Sequence, residues 1–591
     1  MKTYTLLWRV VHYRFWLYVV IVFESTAFYI GRLVFGLILQ AFFNTLGALN
    51  QQPRLTAYLF VLSGLLLLTA LIRGAISVIG NYCIAAFSFD MGALLQHNLL
   101  RRILELPGAQ AVPGSPGETV SSFRDDVQAV RSMLSTTVDT IALTIFAVAA
   151  IIILLHVNAQ ITLLVFIPLT CVAAIAQSMK KRLERFRTAS RAATSNLTGA
   201  IGEIFSAVQA IQVAGAESHV VQHFDTLNER RRTAMLRDNV LTSALNSVFG
   251  NTVGLGKGLI LVIAALSVRG SHLGPGDLAL FISYLATVAE FVQALGLFLG
   301  QYAQTKVSSA RLIALLQGAP ASTLVARPRP SLYHKGALPE VIIPTRTPGD
   351  MLETLEARNL TYRYPDSGRG IEGINLRLRR GTLTVITGQV ASGKTTLLRT
   401  LLGLLPKETG DILWNDQPIA DPASFFVPPR SAYTPQVPHL YSETLAENIL
   451  LGLPETAVDL PAAIRGAVMG RDVAELENGL RTLIGARGVK LSGGQQQRAA
   501  AARMLARAAE LFIFDDISSA LDVETERILW DQLFNQRPSS RTCLVVSHRR
   551  AVLQRADTIL LLQNGKIVAT GKIEELLESS EEMKKLWERE E

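Results

Sequence analysis

Residues 388–395 have the types and spacing of a loop that holds phosphate groups. Their sequence, Gly-Gln-Val-Ala-Ser-Gly-Lys-Thr, fits the pattern G-x-x-x-x-G-K-[ST], follows a predicted strand and precedes a helical pattern over 396–404. Glycines let backbone N–H groups approach the phosphates, and the helix N-terminus adds its positive dipole. Lys394 then reaches the β- and γ-phosphates, while the Thr395 hydroxyl can ligate Mg²⁺. The phosphate-binding residues are predicted to be Gly388, Ser392, Gly393, Lys394, Thr395 and Thr396.

A carboxylate that orients magnesium is expected at the end of a second strand. Residues 511–514 are Leu-Phe-Ile-Phe, an apolar run typical of a buried parallel strand, and Asp515 follows them. In phosphate-loop enzymes the magnesium-orienting acid stands at such a position. A strand-end aspartate can also serve only as a helix cap, but the presence of Lys394 favours the magnesium role. ATP and Mg²⁺ are therefore the predicted cofactors.

The pentapeptide Leu-Ser-Gly-Gly-Gln at 491–495 distinguishes among the classes of phosphate-loop protein. With this signature segment, the chain resembles the ATP-binding cassette (ABC) family over nearly its whole length. In that family the segment closes over the γ-phosphate bound by the opposite subunit, at a helix N-terminus that attracts anions. The resemblance implies that the residues acting on a partner's nucleotide are Ser492, Gly493, Gly494 and Gln495. One chain therefore cannot build a complete site.

The resemblance also assigns roles to single residues elsewhere in the second half. Tyr364 looks like the aromatic residue that stacks on adenine, and Gln436 looks like the glutamine that contacts magnesium and senses the membrane domain. Residues 519–522, Ser-Ala-Leu-Asp, resemble the loop that crosses the dimer and bring Asp522 to the nucleotide. His548 follows a predicted strand and resembles the histidine that contacts the γ-phosphate. A lone histidine is more often structural, but its place at a strand end favours the catalytic role.

Asp516 departs from the family pattern. The family usually has a glutamate here, which polarises the attacking water, and aspartate is one methylene shorter. Its carboxylate is thereby withdrawn by about 1 Å, and a misplacement of that order can cost about a hundredfold in rate. The predicted catalytic residues are Asp516, His548 and Lys394. In heterodimeric bacterial exporters one subunit commonly combines such an altered acid with an intact signature, and this chain fits that description.

Two other interpretations stay open. Lys394, Gln436 and His548 are all retained and aspartate can act as a base, which is compatible with a slow homodimeric exporter. A regulatory or channel-like ABC protein, gated by ATP occupancy, is the second alternative, and Asp516 is its only support. Ala486 marks another departure, since exporters often carry an acidic residue there that faces the intracellular loops. Weaker coupling and ordinary sequence drift explain Ala486 equally well.

The elements that position these residues fall into two unlike halves. The chain has 591 residues, more than the roughly 250–300 that one hydrophobic core supports, and its apolar residues are concentrated in the first half. We predict a multidomain membrane protein with an all-α six-helix transmembrane domain at 1–316, a proline-rich linker at 317–351 and an α/β P-loop ABC nucleotide-binding domain at 352–591. The three widely separated cysteines predict neither a disulfide framework nor a metal site.

Six apolar stretches are long enough to cross about 30 Å of hydrocarbon as helices. They lie near 15–43, 57–87, 135–156, 160–178, 241–268 and 278–303. Most basic residues of the first 316 positions fall in the long segments after the second and fourth stretches, and such segments face the cytoplasm. We therefore predict a multi-pass protein of the plasma (inner) membrane, with its N-terminus and nucleotide-binding domain in the cytoplasm. The net charge of +9 then reflects membrane flanks, and no nucleic-acid partner is expected.

Ionisable residues within the apolar stretches are costly there and are taken as functional candidates. They are Glu24, Arg32, Lys257 and Glu290. Glu24 and Arg32 are two helical turns apart and either line a cavity together or leave Arg32 to snorkel or to pair with another helix. The substrate class does not follow from them, and lipid, drug and peptide stay open. The predicted partners are a second, different half-transporter, membrane lipids and an unidentified transported substrate.

Overall fold

The computed structural model describes residues 3–48, 55–106, 116–267, 274–327, 345–365, 367–485, 490–517, 521–534 and 541–588. Packing divides the chain into two compact units, residues 1–100 with 115–332 and residues 101–114 with 333–591. The first unit is built from helices and the second from helices and two sheets. The predicted fold class, a helical membrane half followed by an α/β half, is confirmed.

Helices of 6 to 52 residues make up the first unit. They are α1 (Thr3–Tyr13), α2 (Phe15–Ala48), α3 (Thr56–Glu105), α4 (Pro116–Ser121), α5 (Val127–Ser178), α6 (Lys180–Ser206), α7 (Val208–Val213), α8 (Glu217–Ser267) and α9 (Pro275–Ala314). One turn of π-helix, Ser122–Asp126, joins α4 to α5. Helix α3 runs well beyond the second apolar stretch, α6 lies within the second long basic segment and α8 begins well before the fifth stretch, so much of the two long basic segments is helical.

Within the described residues, four helices are long and apolar enough to cross a membrane. They are Phe15–Ala48, Thr56–Glu105, Thr119–Leu164 and Pro275–Ala314. The fourth and fifth predicted stretches are helical too, within α5 and α8, but many of their side chains, including those at 165–178 and 263–267, lie outside the described part of the chain. The break between the third and fourth apolar stretches is a kink, because Asn158 has extended dihedral angles inside α5 (φ −162°, ψ 106°). Its Oδ1 accepts a 3.0 Å bond from Ile161 N and caps the helix that follows.

Helices α2, α5 and α9 share the best-packed core of the first unit. Tyr284 of α9 is fully buried and its hydroxyl donates a 2.6 Å bond to the Leu33 carbonyl of α2. Gly36 lies one turn further along α2, where any Cβ would collide with the Tyr284 ring. The ring of Phe146 from α5 meets Tyr284 edge to face at 5.7 Å. An aromatic side chain thus fills the space that a glycine leaves, which brings two membrane helices close together.

The start of the predicted linker packs against the first unit. Residues Ala321–Val325 form a 3₁₀ helix in which Leu324 is fully buried. The buried Asn98 amide of α3 donates to the carbonyls of Leu324 (2.9 Å) and Ala326 (2.8 Å). Both amide hydrogens are satisfied by backbone, which fixes where the chain leaves the helices. Residues 328–344 of the predicted linker lie outside the described residues.

The second unit contains two sheets and ten helices among its described residues. The strands are β1 (Thr354–Arg363), β2 (Gly370–Arg379), β3 (Leu383–Thr387), β4 (Thr409–Trp414), β5 (Gln417–Pro418), β6 (Ser431–Thr434), β7 (Leu511–Asp515), β8 (Thr542–Val546), β9 (Thr558–Gln563) and β10 (Lys566–Gly571). The helices are α10 (Lys394–Leu401), α11 (Pro422–Phe425), α12 (Leu445–Leu450), α13 (Leu460–Gly466), α14 (Gly470–Glu475), α15 (Gly493–Leu505), α16 (Val523–Phe534), α17 (Arg550–Leu553), α18 (Ile573–Ser579) and α19 (Glu581–Glu588).

The central sheet brings the predicted site residues to one edge. Its strand order is β10-β9-β3-β8-β7-β6, and every neighbouring pair is parallel except β9 with β10. Strands β3, β7 and β8 are buried along their whole length, as expected for a sheet covered on both faces. The carboxyl ends of these strands lead to the phosphate loop, to Asp515 and to His548, so all three lie at the same edge. The second sheet, β2-β1-β4-β5, is antiparallel and was not predicted.

Candidate nucleotide-binding site

The phosphate loop curls around the side chain of Lys394. The Lys394 ammonium donates to the carbonyls of Gly388 (2.8 Å) and Gln389 (2.7 Å). Gly388 has φ +147° and Gly393 φ +105°, which glycine adopts without a Cβ penalty. A Cβ on Gly388 would also collide with the Leu562 carbonyl. The loop therefore has the tight backbone path that the sequence pattern predicts, with the helix of Lys394–Leu401 beginning directly after it.

Polar groups in the loop fit a phosphate ligand. Ser392 is 5% exposed, and its Oγ has no hydrogen-bond partner among the described residues. A buried hydroxyl without a partner is costly, and a phosphate oxygen would satisfy it. Burial lowers the pKa of the Lys394 ammonium, although Asp516 and Asp515 nearby oppose the shift. An anion in the loop would favour the charged ammonium again.

Asp515 is the centre of a buried polar cluster. It is fully buried, and Thr395 Oγ1 donates a 3.0 Å bond to its Oδ1. The Tyr433 hydroxyl of β6 donates a 3.2 Å bond to Oδ2, and the Arg399 guanidinium also bonds to Tyr433. Burial raises the pKa of Asp515, while the bonds from Thr395 and Tyr433 lower it. The predicted pair of magnesium ligands, Thr395 and Asp515, is thus brought together.

Tyr433 is a site residue that sequence reasoning missed. Its burial in β6 raises its pKa to about 12, so it stays protonated and can act as a hydrogen-bond donor. Only the pairing of β6 with β7 would have identified it: the two strands are parallel, and Tyr433 is opposite Ile513, two residues before Asp515. Sequence alone does not tell which strand neighbours β7.

Asp516 begins the turn after β7 in a left-handed backbone conformation. Its φ is +53°, which aspartate tolerates better than most residues. The Gln436 amide donates a 3.3 Å bond to Asp516 Oδ2. Gln436, predicted as a magnesium contact, is therefore held beside the predicted base. His548 follows Ser547 after β8 and is half-buried. Because β8 lies between β3 and β7, His548 leaves the sheet between the phosphate loop and Asp516.

The other predicted nucleotide contact of this half is Tyr364. It follows β1, is half-buried, and its ring packs edge to face on Tyr362 at 5.1 Å. Its backbone N–H donates 2.8 Å to the Arg369 carbonyl in a turn. This turn holds the exposed part of the ring at the surface of the antiparallel sheet.

The signature segment forms the N-terminus of α15. Ser492 caps the helix: its Oγ accepts from Gln495 N (3.3 Å), and Gln495 Oε1 accepts from Ser492 N (2.9 Å). Gln495 also donates to Asp472 (3.1 Å), whose carboxylate makes a bidentate ion pair with Arg498 at 2.7 and 3.0 Å. Ser492 and Gly493 are exposed, so a rigid, anion-attracting helix end faces outward from the unit.

Asp522 is exposed at the start of α16. Its Oδ1 accepts a 2.9 Å bond from Thr525 N, and this backbone bond lowers the pKa of Asp522. The carboxylate is therefore ionised at neutral pH and caps the helix. The preceding Ser519 and Ala520, predicted to cross the dimer, lie outside the described residues, as does Ala486.

Ala391 carries local strain within the phosphate loop. Its φ is +65°, a left-handed conformation that costs a residue with a Cβ about 1–2 kcal/mol. Ala391→Gly removes this cost but makes the unfolded chain more flexible by about 0.4–1 kcal/mol. We expect a net stabilisation of up to about 1 kcal/mol, seen as a higher thermal unfolding midpoint without nucleotide. Val390→Gly is the matched control, because Val390 is 93% exposed without a positive φ and should destabilise instead. A lower thermal unfolding midpoint for Ala391→Gly would contradict the claim that the backbone is strained at Ala391.

The charged groups of the apolar stretches are partly paired across helices. Arg32 of α2 donates to Glu290 (2.6 Å) and to Thr287 (3.4 Å) of α9. Of the interpretations left open by the sequence, Arg32 therefore fits pairing with another helix. Glu24 accepts a 3.4 Å bond from Ser25. Two further ionisable residues, Arg73 and Asp139, lie within predicted spans and were not singled out from the sequence. The Arg73 guanidinium lies 4.7 Å from the centre of the Phe28 ring.

Both halves of the chain match known protein families. Residues 16–290 match the family model of the ABC transporter transmembrane region, and residues 371–519 match the ABC transporter family model. The ATP-dependent lipid A-core flippase of Bordetella pertussis is 27% identical over 513 residues, which are 86% of this chain and 79% of that protein. The flippase of the same name from Xanthomonas campestris pv. campestris is 26% identical over 527 residues, 87% of this chain and 84% of the other.

A solved structure has the same fold along the whole chain. It is a bacterial Atm1-family ABC exporter with ATP bound, with a TM-score of 0.78 and 20% sequence identity. The match covers 98% of this chain and 99% of the other. At this identity the likeness concerns the fold, in which a helical membrane half precedes an α/β half.

Proposed function

This chain belongs to the ABC transporter family as an exporter half-transporter, whose ATPase activity drives transport, and we propose that it pairs with a different half-transporter. In this heterodimer it would be the subunit whose own ATP site hydrolyses slowly. ABC exporters work as dimers. The two nucleotide-binding domains would close together, with the phosphate loop of one subunit facing the signature segment of the other, and this closure would turn the membrane domain outward. Hydrolysis would then reset the transporter. In this proposal the chain lends an intact signature to the partner's competent site.

Asp516 is the observation that carries the heterodimer proposal. Its side chain is one methylene shorter than that of glutamate and accepts a 3.3 Å bond from the Gln436 amide, and its backbone is left-handed. By contrast, Ser492 and Gln495 of the signature are held in a complete capping box. One half of the catalytic machinery is thus altered and the other half is intact.

The residues present suit ATP and Mg²⁺. We assign phosphate binding to Lys394 and the loop amides, and the metal site to Thr395, Asp515 and Gln436. When bound, Mg²⁺ supplies charge neutralisation at the β- and γ-phosphates. Asp516 would accept the proton of the attacking water, and His548 would hold the γ-phosphate. Ser492, Gly493, Gly494 and Gln495 would contact the partner's nucleotide, and Tyr364 would stack on adenine.

Tyr433 should tune the metal site through Asp515. Tyr433→Phe removes one hydroxyl and leaves the Asp515 Oδ2 without its 3.2 Å bond. Loss of such a supporting bond typically weakens metal binding by about 10–100-fold. We expect the Mg²⁺ concentration that half-saturates nucleotide binding to rise about tenfold, with binding of metal-free ATP unchanged. Titration of a fluorescent ATP analogue measures both quantities. Tyr441→Phe, at a 58% exposed tyrosine, is the control, and an unchanged Mg²⁺ requirement in Tyr433→Phe would contradict the role.

We propose a polar membrane lipid as the transported substrate and the inner membrane as the location. The lipid is supported by the two flippases, which match this chain over most of its length. The orientation is supported by the arginines of α6 and α8, which belong on the cytoplasmic side.

Lipid translocation in vesicles tests the proposed function. The chain, co-purified with its partner, is reconstituted with a headgroup-labelled lipid, and ATP is added outside. We expect ATP-dependent movement of the label from the outer to the inner leaflet, out of reach of an impermeant quencher, because ATP added outside drives only the transporters whose nucleotide-binding domains face outward. Ion conductance that responds to ATP occupancy without turnover would instead favour the channel-like alternative. ATP turnover without any lipid movement would refute the lipid substrate while leaving the exporter class intact.

A further inference from the structure

The C-terminal helix α19 contacts the phosphate loop of the same chain. The side-chain amide of Gln389, the second residue of the loop, donates a hydrogen bond to the carboxylate of Glu582 in the first turn of α19. An ionised carboxylate only accepts hydrogen bonds, so the amide nitrogen must face it. The phosphate-loop pattern leaves position 389 open and gives its side chain no role. The contact therefore joins the motif to a helix residue 193 positions further along the chain.

Helix α19 is docked on the second unit, so Glu582 has a fixed place. An isolated helix of eight residues is marginal in water, and α19 depends on packing. Met583 is fully buried in a core that also contains residues of β3, β7 and β8. At the other end of α19 the Trp587 carbonyl accepts a 3.1 Å bond from Arg550 Nε, and the Trp587 ring lies 4.8 Å from the guanidinium carbon. Since Arg550 follows His548 by two residues, α19 is fastened both to the phosphate loop and to the segment after His548.

The backbone of Gln389 positions the ammonium group of Lys394. Its carbonyl accepts a 2.7 Å bond from Lys394 Nζ and a 3.2 Å bond from Ser392 N. The far end of the loop is also held from outside, because the Ser392 carbonyl accepts a 2.9 Å bond from Gly565 N in the turn between β9 and β10. Segments that follow β9 in the chain thus hold the loop at both ends. A loop that is ordered before its ligand arrives loses less conformational entropy on binding.

We propose that Glu582 is a positioning residue for ATP in this chain's own site, acting through its hydrogen bond to Gln389. The bond keeps the Gln389 carbonyl where it orients the Lys394 ammonium. A hydrogen bond to a charged group typically shifts an equilibrium constant by about tenfold or more. Gln389 is exposed, and only part of the effect reaches the nucleotide, so we expect ATP binding to depend on the bond about fivefold. The role depends neither on the exported molecule nor on whether the partner is a different chain.

Photolabelling of the full-length transporter tests this role. The assembled complex is titrated with an azido-ATP photoprobe in the presence of Mg²⁺, and the label on this chain is counted after the subunits are separated. Glu582→Ala should weaken the labelling affinity about fivefold. Glu582→Gln should stay within about twofold of wild type, because its amide oxygen still accepts the bond from Gln389. Glu581→Ala is the matched control and should change nothing, since Glu581 is exposed and the same charge leaves the same helical turn.

A double-mutant cycle separates positioning from other roles of the carboxylate. Gln389→Ala should weaken labelling about as much as Glu582→Ala, and the double variant should be no weaker than either, because each change removes the same bond. Additive losses, or an unchanged affinity in Glu582→Ala, would overturn the proposal. So would tighter labelling of Glu582→Ala and Glu582→Gln, because the carboxylate would then act by repelling the phosphates of ATP. Transport is not measured in this experiment, so its failure would leave the proposed exporter function untouched.

Discussion

Gly494→Asp in this chain is expected to lower the ATPase rate of the assembled transporter by at least about a hundredfold, even if this chain's own phosphate loop is untouched. Gly494 is in the first turn of α15, behind the exposed Ser492. An aspartate there is compatible with a helix N-terminus but places a negative charge where the partner's γ-phosphate must approach. Removing one oxyanion contact alone costs about 10²–10³ in comparable sites. Steady-state phosphate release by the purified complex measures the loss.

Gly470→Asp and Lys394→Met complete that experiment. Gly470 also begins a helix, and nothing lies within 4 Å of its Cβ position, so Gly470→Asp should leave the rate unchanged. Lys394→Met removes the ammonium from this chain's own loop, which in our proposal forms the weaker site. Lys394→Met should therefore retain much more activity than Gly494→Asp. Equal losses from the two substitutions would contradict the heterodimer with unequal sites.

The parts of the site that were predictable are those that short segments encode. The loop around Lys394 needs glycines at fixed offsets between a strand and a helix, and Gly388 and Gly393 have the positive φ values that such a loop requires. Asp515 ends an apolar strand that the structure shows to be buried throughout. Local chemistry was enough because one strand and one helix end position these groups.

The parts that were not predictable depend on pairing between distant segments. The antiparallel sheet joins β1 to β4 across the whole phosphate loop, and no short-range pattern reports such a pairing. Tyr433 reaches Asp515 because β6 happens to neighbour β7. The positive φ of Ala391 was hidden because the pattern leaves that position open. In the helical unit, the sequence predicted a break between the third and fourth apolar stretches, but not that the single residue Asn158 makes it inside α5.

The geometry also explains why one chain holds two unequal half-sites. Asp516 and the phosphate loop lie at the same edge of the central sheet, where the charge of Asp516 opposes the lowering of the Lys394 pKa by burial. The signature lies instead on α15, fastened by Asp472 and Arg498, with its helix end exposed. A change at position 516 therefore affects one composite site, whereas a change at 494 affects the other. This separation allows each site to be measured alone.

Asp516→Glu is expected to raise the turnover of this chain's own site by about a hundredfold when the other site is silenced by Gly494→Asp. The added methylene moves the carboxylate forward by about 1 Å, towards the water that must be polarised. Glutamate tolerates the φ of +53° less well than aspartate, so a small loss of thermal stability should accompany the gain. Phosphate release by the Gly494→Asp complex, with and without Asp516→Glu, measures the change.

The control for this gain is Asp459→Glu, which lengthens an aspartate that caps α13 through a 2.9 Å bond from Ala462 N. It should leave the residual rate of the Gly494→Asp complex unchanged. If Asp516→Glu also leaves that rate unchanged while the protein still binds ATP, the missing methylene is not what slows the site. The bond between Gln436 and Asp516 would then be the next cause to remove, because it draws the carboxylate sideways whatever its length. A gain, in contrast, would mean that the partner's signature is competent and that this chain alone limits its own site.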